Sequence, residues 1–176
     1  KKPIKEAKEL KGLKYRTVGL AADLFQEMGT KVTQLPGGEI MPALEKGVID
    51  AFEFNNPTSD MRFGAQDVIK NYMMGSYHQA MEFFEIAFNR KKWNSLPKDQ
   101  QELLKMAFES EAHLQSSEYD AGNPDALDTL LTKHNVQLRQ FSNEIVKEIA
   151  RNSAIVVNEL ANSDPYAKKV WDNYRE

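Results

Sequence analysis

One segment, residues 35–64, limits the folds open to this chain more than any other part of the sequence. It begins with a Pro-Gly-Gly turn at 36–38, whose glycines permit backbone angles that side chains exclude. Apolar residues at helical spacing then predict a short amphipathic helix over 39–46, which Gly47 ends. Residues 48–54 follow as a short, mostly apolar strand. This order of turn, helix and strand indicates one unit of an α/β fold.

The strand that closes this unit ends in polar residues. Glu53 is a lone carboxylate near its end, Phe54 adds an aromatic ring, and Asn55 and Asn56 open a polar turn expected over 55–60. A carboxylate within an apolar strand is costly unless a cation or a metal pairs with it. Ligands of open α/β sheets bind beyond the carboxyl ends of the strands. These residues therefore predict a small-molecule site.

Arg16 is the first candidate for binding an anion. It occupies the polar phase of an alternating strand at 13–18, shortly before Gly19. Its planar guanidinium can hold a carboxylate through two charge-assisted hydrogen bonds, which lysine does not reproduce. Considered alone, the position fits a surface arginine on an edge strand better. An ion pair between Arg16 and Glu53 on adjacent strands is another alternative, and it is compatible with a ligand inserted between them.

Strand and helix patterns alternate along the first half of the chain, which implies a largely parallel sheet with right-handed crossovers. The first helix, at 20–28, is expected to place Leu20, Leu24, Phe25 and Met28 on its inner face. The remaining patterns predict strands at 31–35, 71–77, 83–88 and 136–141, and helices at 91–96, 98–119, 125–133, 142–161 and 165–174.

Composition and charge exclude several classes of protein. The 176 residues carry 23 lysines and arginines against 26 aspartates and glutamates, and this net charge of −3 argues against nucleic-acid binding. No apolar run approaches the roughly 20 residues needed to span a bilayer. The sequence has no cysteine, so disulfides and thiolate metal sites are excluded.

The motifs of common enzymes are also absent from the sequence. It has neither a Gly-x-Ser-x-Gly elbow nor a Gly-x-x-x-x-Gly-Lys phosphate loop. Asp50 and Glu53 form a carboxylate pair, but a separation of three residues along a strand places side chains on opposite faces. The sequence therefore predicts a binding protein and no enzyme.

Three ordered motifs carry a family resemblance. They read LKGLKYR, PGGEIMPALEKGVIDAFEF and NYMMGSYHQAMEFFEIAFNRKKW, and the match extends from about residue 2 to residue 93. The chain resembles the solute-binding proteins of TRAP transporters (tripartite ATP-independent periplasmic transporters). Among these it is similar to the DctP-type branch, which binds 2-oxo and 2-hydroxy acids. The resemblance implies a periplasmic-binding-protein-like α/β lobe (class II-like) with a mostly parallel sheet, followed by a helical C-terminal third.

The resemblance also sets expectations for the domains. Residues 1–96 would form the α/β ligand-binding lobe, which is the second lobe of a two-lobe receptor. Residues 97–176 would form a helical region with one strand, which packs on this lobe and returns toward the first. The sequence starts at Lys1-Lys2-Pro3 without a signal peptide. We therefore expect a signal peptide and an N-terminal lobe to precede it, and a periplasmic location.

The matching positions receive roles from the resemblance. Arg16 corresponds to the arginine that binds the substrate carboxylate. Glu53 corresponds to a glutamate that ligates a metal, and Phe54 to an aromatic residue that offers its backbone carbonyl. The branch usually has tryptophan where Phe54 stands, and Val-Gly where Asn55 and Asn56 stand. These departures let the two asparagines bind the ligand directly.

Gln79 is the third metal ligand that the resemblance implies. The family often has an acid at the end of the sequence that reads Tyr-His-Gln here, so Gln79 offers an amide oxygen without the charge. Losing that charge lowers the affinity for a hard cation such as calcium. Glu82 is an alternative acid nearby, and His78 has no partner histidine at zinc-ligand spacing.

The function implied by the resemblance is that of an extracytoplasmic receptor, which binds a small organic acid and delivers it to the membrane subunits of a TRAP transporter. No cofactor is required, although a calcium or sodium ion could bridge the ligand carboxylate. Some relatives dimerise through a long C-terminal helix, so a homodimer is a further expectation. The alternative is a ligand-sensing or interaction domain of the same fold without a transport role. A keto-acid isomerase or lyase would need Glu53 as its general base.

Overall fold

The computed structural model of this chain describes residues 2–75 and 85–175. Its central feature is a parallel sheet formed by β1 (Lys14–Arg16), β2 (Lys31–Thr33) and β3 (Ala51–Phe52), in the order β2-β1-β3. The parallel α/β arrangement expected from the sequence is confirmed. Since β1 pairs with a strand on each side, the edge-strand alternative for Arg16 is wrong.

The other strands and the helices complete the described fold. Strands β4 (Asn71–Met74) and β5 (Gln137–Gln140) form a second parallel pair. Short 3-10 turns lie at Ala7–Leu10, Gly37–Glu39 and Ala65–Asp67. The helices within the described ranges are α1 (Leu20–Glu27), α2 (Ile40–Glu45), α3 (Pro57–Arg62), α4 (Arg90–Ser95), α5 (Lys98–Thr132), α6 (Asn143–Ser163) and α7 (Pro165–Arg175).

The register of the central sheet determines where the candidate site lies. Arg16 is opposite Thr33 of β2 and Phe52 of β3. The Glu53 N–H donates to the Arg16 carbonyl oxygen at 3.0 Å, so the pairing continues one residue past β3. Glu53 therefore lies at the carboxyl end of two adjacent strands, which is where open parallel sheets bind ligands.

The larger hydrophobic core lies between α1 and α6. Its buried members are Leu10, Leu24, Phe25, Ile145 and Ile149. Burial of each such side chain contributes about 1.5–3 kcal/mol of hydrophobic stabilisation. The inner face expected for α1 is confirmed at Leu24 and Phe25 but is wrong at Leu20, which is 50% exposed. Leu20 is the first residue of the helix, immediately after the chain turns at Gly19 with a φ of 62°.

A smaller core forms around α2. Ile40, Ala43 and Leu44 bury the face that the sequence predicts, and Ile49 packs against them from the segment before β3. Gly47 follows the helix with a φ of 70°, a conformation that glycine adopts without steric cost. The amphipathic helix and its glycine stop are therefore confirmed.

Helix α5 is continuous, so the expectation of two helices divided at Asn123 and Pro124 is wrong. A proline in a helix interior removes one backbone hydrogen bond and crowds the preceding turn. The Asn123 side chain, expected near the start of a new helix, instead accepts hydrogen bonds from Thr58 of α3. Ala126 and Leu130 are buried beyond the proline, and this packing supports the continued helix.

Two predictions around β3 also need correction. The strand expected at 48–54 is regular only over β3, although the Asp50 N–H still donates to the Lys14 carbonyl oxygen at 2.7 Å. The polar turn expected at 55–60 is largely helix α3. The helix forms because Asn56 caps it through a hydrogen bond from the Ser59 N–H at 3.0 Å.

The strand expected at 83–88 is wrong over its described part. Residues 85–88 form no regular element, and Ile86 and Phe88 are 59% and 44% exposed. Phe88 instead packs against Trp93 and Phe108, with ring centroids 4.9 and 5.8 Å apart. Phe83 and Phe84 lie outside the described residues.

The boundary expected between residues 96 and 97 stays a prediction. Elements beyond it pack on elements before it: β5 pairs with β4, α6 shares a core with α1, and α5 contacts α3. Within the described parts of the chain, no helix combines the length and the apolar character needed to cross a membrane.

Candidate functional site

Arg16, at the end of β1, is the centre of the candidate site. The residue is only 5% exposed. Its Nε donates to the Leu35 carbonyl oxygen at 2.9 Å, and its Nη1 donates to the Glu53 carbonyl oxygen at 2.7 Å. These acceptors follow the two strands that flank β1. The backbone therefore fixes the plane of the guanidinium, and these bonds use two of its five N–H groups.

The Phe54 ring covers the guanidinium. Cζ of Arg16 lies 5.6 Å from the centroid of the ring, which is within the range of a cation–π contact. Phe54 packs edge-to-face on Phe63, with centroids 4.5 Å apart. A Cβ added to Gly37 would lie 3.2 Å from Cε2 of Phe54, so the glycine turn leaves room for the ring.

The Glu53 side chain contacts the residue that follows Arg16. Its Oε2 accepts a hydrogen bond from Oγ1 of the buried Thr17 at 3.0 Å. Burial, and secondly the charge of Glu53, raise the pKa of the Tyr15 phenol. Since side chains alternate along a strand, Tyr15 and Thr17 share the face that Arg16 does not occupy. The described contact of Arg16 with Glu53 is to the backbone oxygen.

The two asparagines hold the loop that joins β3 to α3. Oδ1 of Asn56 caps α3, and Nδ2 of Asn56 donates to Oδ1 of Asn55 at 3.2 Å. The Asn55 N–H donates to Oδ1 of Asp60 at 3.3 Å. The structure thus brings Arg16, Glu53 and the loop residues together around the ends of β1 and β3.

A cavity of about 390 Å³ adjoins this loop. Its polar lining includes Glu53, Asn55, Asp60 and Tyr72. The Tyr72 O–H donates to Oδ2 of Asp60 at 2.7 Å. Burial raises the pKa of Asp60, although the hydrogen bonds from Tyr72 and from the Asn55 N–H oppose the shift.

A family model places the chain among known proteins. The model described as DctP, "Bacterial extracellular solute-binding protein, family 7", matches residues 1–164. The chain belongs to this family. The resemblance to solute-binding proteins is confirmed. The expected extracytoplasmic location agrees with the family's extracellular description.

Among curated relatives, this family 7 chain is similar to a monocarboxylate 2-oxoacid-binding periplasmic protein of Nostoc. The two are 34% identical over 175 residues, which cover 99% of this chain and 48% of the relative. A solute-binding protein of Albidiferax ferrireducens is 27% identical over 160 residues, which cover 87% of this chain and 46% of the relative. The chain therefore spans about half the length of the curated relatives that it matches.

Solved TRAP transporter solute-binding proteins share the fold. The protein from Bordetella bronchiseptica, with calcium and picolinate bound, superposes with a TM-score of 0.88 at 28% identity, covering 99% of this chain and 52% of that one. The protein from Colwellia psychrerythraea, with calcium and pyruvate bound, gives 0.81 at 30% identity, covering 97% and 52%. The protein from Pseudoalteromonas atlantica, with sodium and pyruvate bound, gives 0.78 at 29% identity, covering 96% and 51%.

The structure describes only some of the expected metal ligands. Glu53 and Phe54 lie at the end of β3, whereas Gln79, His78 and Glu82 lie outside the described residues. Within residues 2–75 and 85–175, no three His, Asp or Glu side chains are grouped closely enough to hold a metal ion. The metal set stays a prediction.

Sequence reasoning missed several residues that support the site. Thr17 follows Arg16 directly, but its bond to Glu53 depends on the pairing of the two strands. Asn123 contacts α3 from a distant part of the chain, and no local pattern marks that contact. Helix α3 did carry a signal, because asparagine followed by proline is typical of a helix N-cap and first position. With that helix recognised, Asp60 would have been placed within its first turn.

Replacing Asp60 with asparagine is expected to reduce the loss of stability as the pH rises. The folded-state pKa of Asp60 is raised by burial, so folding favours the protonated form. That contribution is complete below the unfolded pKa near 4, and it is lost as the pH rises through the raised folded value. From about pH 4 up to the raised folded value, the free energy of unfolding of the wild type should therefore fall relative to Asp60→Asn. Urea titrations across this range measure the difference, and parallel pH profiles would contradict the prediction.

Proposed function

We propose that this chain is the ligand-binding lobe of an extracytoplasmic receptor for a small organic acid, with Arg16 binding the ligand carboxylate. The observation that carries the proposal is the buried guanidinium, oriented by the carbonyl oxygens of Leu35 and Glu53. Three of its N–H groups are not used by these bonds. Charge-assisted hydrogen bonds to a carboxylate are about twice as strong as neutral ones.

The class of acid follows from the relatives. A curated relative binds monocarboxylate 2-oxoacids, and two structural relatives hold pyruvate. We therefore favour a 2-oxo or 2-hydroxy monocarboxylate. Asn55 and Asn56, where the branch has Val-Gly, would add amide contacts to the ligand. Gln79 would add another, as the resemblance implies.

The proposal also includes a metal ion bound beside the acid. Calcium takes six to eight oxygen ligands, including carboxylates, backbone carbonyls and amide oxygens. The Glu53 carboxylate, the Phe54 carbonyl and the Gln79 amide are ligands of these types, and the acid would supply further oxygens. Structural relatives contain calcium or sodium together with the organic acid.

The partners are proposed on the same basis. A receptor of this kind would deliver the acid to the membrane subunits of a TRAP transporter. A homodimer stays a prediction; among the relatives, the protein from Bordetella bronchiseptica is described as a mixed occupancy dimer.

Pyruvate is expected to raise the melting temperature of the natural full-length protein. A ligand at 100 times its Kd that binds only the native state stabilises it by about 2.7 kcal/mol, which corresponds to several degrees. The panel is pyruvate, lactate, picolinate and succinate, each measured with calcium, with sodium and with EDTA. Methyl pyruvate is the matched control, because it keeps the 2-oxo group and lacks the carboxylate. If none of the acids raises the melting temperature, or if methyl pyruvate raises it as much as pyruvate does, the proposal is overturned. A rise that disappears in EDTA would support the bound ion.

A further inference from the structure

The side chain of Asn123, in the interior of α5, contacts the first turn of α3. Oδ1 of Asn123 accepts from the Thr58 N–H at 3.2 Å and from Oγ1 of Thr58 at 2.8 Å. The first N–H groups of a helix have no partner within it, so they need acceptors from elsewhere. Asn56 supplies an acceptor for the Ser59 N–H, and Asn123 supplies one for the Thr58 N–H.

The neighbours of Asn123 are poor helix formers. Glycine costs about 1 kcal/mol and proline about 3 kcal/mol relative to alanine in a helix interior. A Cβ added to Gly122 would lie 3.3 Å from Oγ1 and 3.8 Å from Cγ2 of Thr58, so glycine allows α3 to approach closely. Pro124 follows within the same continuous helix. The Gly-Asn-Pro sequence thus lowers the intrinsic stability of α5 at the point where it meets α3.

Helix α3 is attached directly to the candidate site. The loop before it contains Asn55 and Asn56, and the carbonyl oxygen of Glu53 is one of the two that orient Arg16. Within this loop, the Asn55 N–H donates a hydrogen bond to Asp60 of the helix. A shift of α3 would therefore move the loop and the acceptor together.

We infer that Asn123 is a positioning residue for the ligand site: it fixes the start of α3, and through α3 it fixes the loop at residues 53–56. This inference rests on the proposed function for its effect on ligand affinity. It goes beyond that function because it gives a role to a residue 65 positions along the chain from Thr58. It also accounts for the Gly-Asn-Pro sequence inside a helix.

Asn123→Leu is expected to raise the Kd for pyruvate by about 10-fold in the natural full-length protein, by analogy with the loss when a supporting residue of a binding site is removed. Leucine has the same number of side-chain heavy atoms as asparagine, with the same branch at Cγ, and a higher helix propensity, so it removes the acceptor without weakening α5. Asn123→Asp keeps the acceptor and places a negative charge at the N-terminus of α3, which the helix dipole favours. The aspartate variant should therefore bind pyruvate like the wild type.

Asn158→Leu is the matched control. Oδ1 of Asn158 on α6 accepts from Nε1 of Trp171 on α7 at 3.2 Å, so the substitution also removes a contact between two helices. It should leave the pyruvate Kd unchanged. Equal effects of the two leucine variants would overturn the inference, as would an unchanged Kd in Asn123→Leu.

A double-mutant cycle and hydrogen exchange separate this inference from the proposed function. Thr58→Val removes the partner hydroxyl, so the binding free energy lost in the double variant should be smaller than the sum of the losses in the two single variants. Strict additivity of these free energies would count against the contact. In the ligand-free protein, Asn123→Leu should speed amide exchange in peptides covering residues 53–59, whereas Asn158→Leu should not. If the wild type fails to bind pyruvate, the proposed function fails while this exchange comparison still decides the role of Asn123. Equal exchange in both variants would refute it.

Discussion

Lysine in place of Arg16 is expected to weaken pyruvate binding by at least about 100-fold. The proposed clamp uses two charge-assisted hydrogen bonds, each worth about 1.5–3 kcal/mol, and every 1.4 kcal/mol is a factor of ten in Kd. Lysine keeps the charge but lacks the planar fork. It also cannot donate to the carbonyl oxygens of Leu35 and Glu53 in the geometry that orients the guanidinium. Isothermal titration of pyruvate into the natural full-length protein measures the loss.

Arg139→Lys is the control for this substitution. Arg139 lies on β5, and its Nε donates to Oδ1 of Asn71 at 2.7 Å, so it shares none of the described contacts of Arg16. The control variant should bind pyruvate with the wild-type Kd. If Arg16→Lys also kept that Kd, the guanidinium would not be the group that holds the carboxylate, and the proposed function would lose its main support.

Leu24→Ala is expected to lower the free energy of unfolding by about 2–5 kcal/mol, whereas Leu20→Ala should cost less than about 1 kcal/mol. Both leucines belong to α1 and are one helical turn apart. Leu24 is 4% exposed within the core shared with α6, and Leu20 is 50% exposed. Only the first substitution leaves a cavity in a packed core. Chemical denaturation followed by the fluorescence of Trp93 and Trp171 compares the variants, and equal losses would show that the core differs from the one described.

The sequence alone was sufficient to predict the helices and strands whose local pattern agrees with their tertiary packing. The helix at α2 and its stop at Gly47 could be predicted because apolar spacing and a left-handed glycine specify the same boundary. The face of α1 could be predicted only in part, because spacing does not show where the core ends along a helix, and Leu20 lies beyond it. The continuity of α5 could not be predicted, because Pro124 is tolerated through contacts made with distant parts of the chain.

For the candidate site, the sequence led to residues but not to their partners. Strand alternation placed Arg16 and Glu53 near the end of the sheet, and the family resemblance supplied their roles. The acceptors of Arg16 are backbone oxygens, which no residue type reveals. The bond between Tyr72 and Asp60 joins separate elements, and the contact of Thr58 with Asn123 spans 65 positions, so neither leaves a pattern in the sequence.

The use of backbone oxygens to orient Arg16 has an evolutionary consequence. A peptide carbonyl is present whatever side chain the residue carries, so positions 35 and 53 can mutate without removing the acceptors that hold the guanidinium. If Arg16 and Glu53 have the roles proposed above, a lineage could exchange the carboxylate at position 53 for another group and so alter which ion or acid it prefers, while Arg16 stayed in place. Ligand specificity would then change by single substitutions, without an intermediate that has lost its affinity for anions.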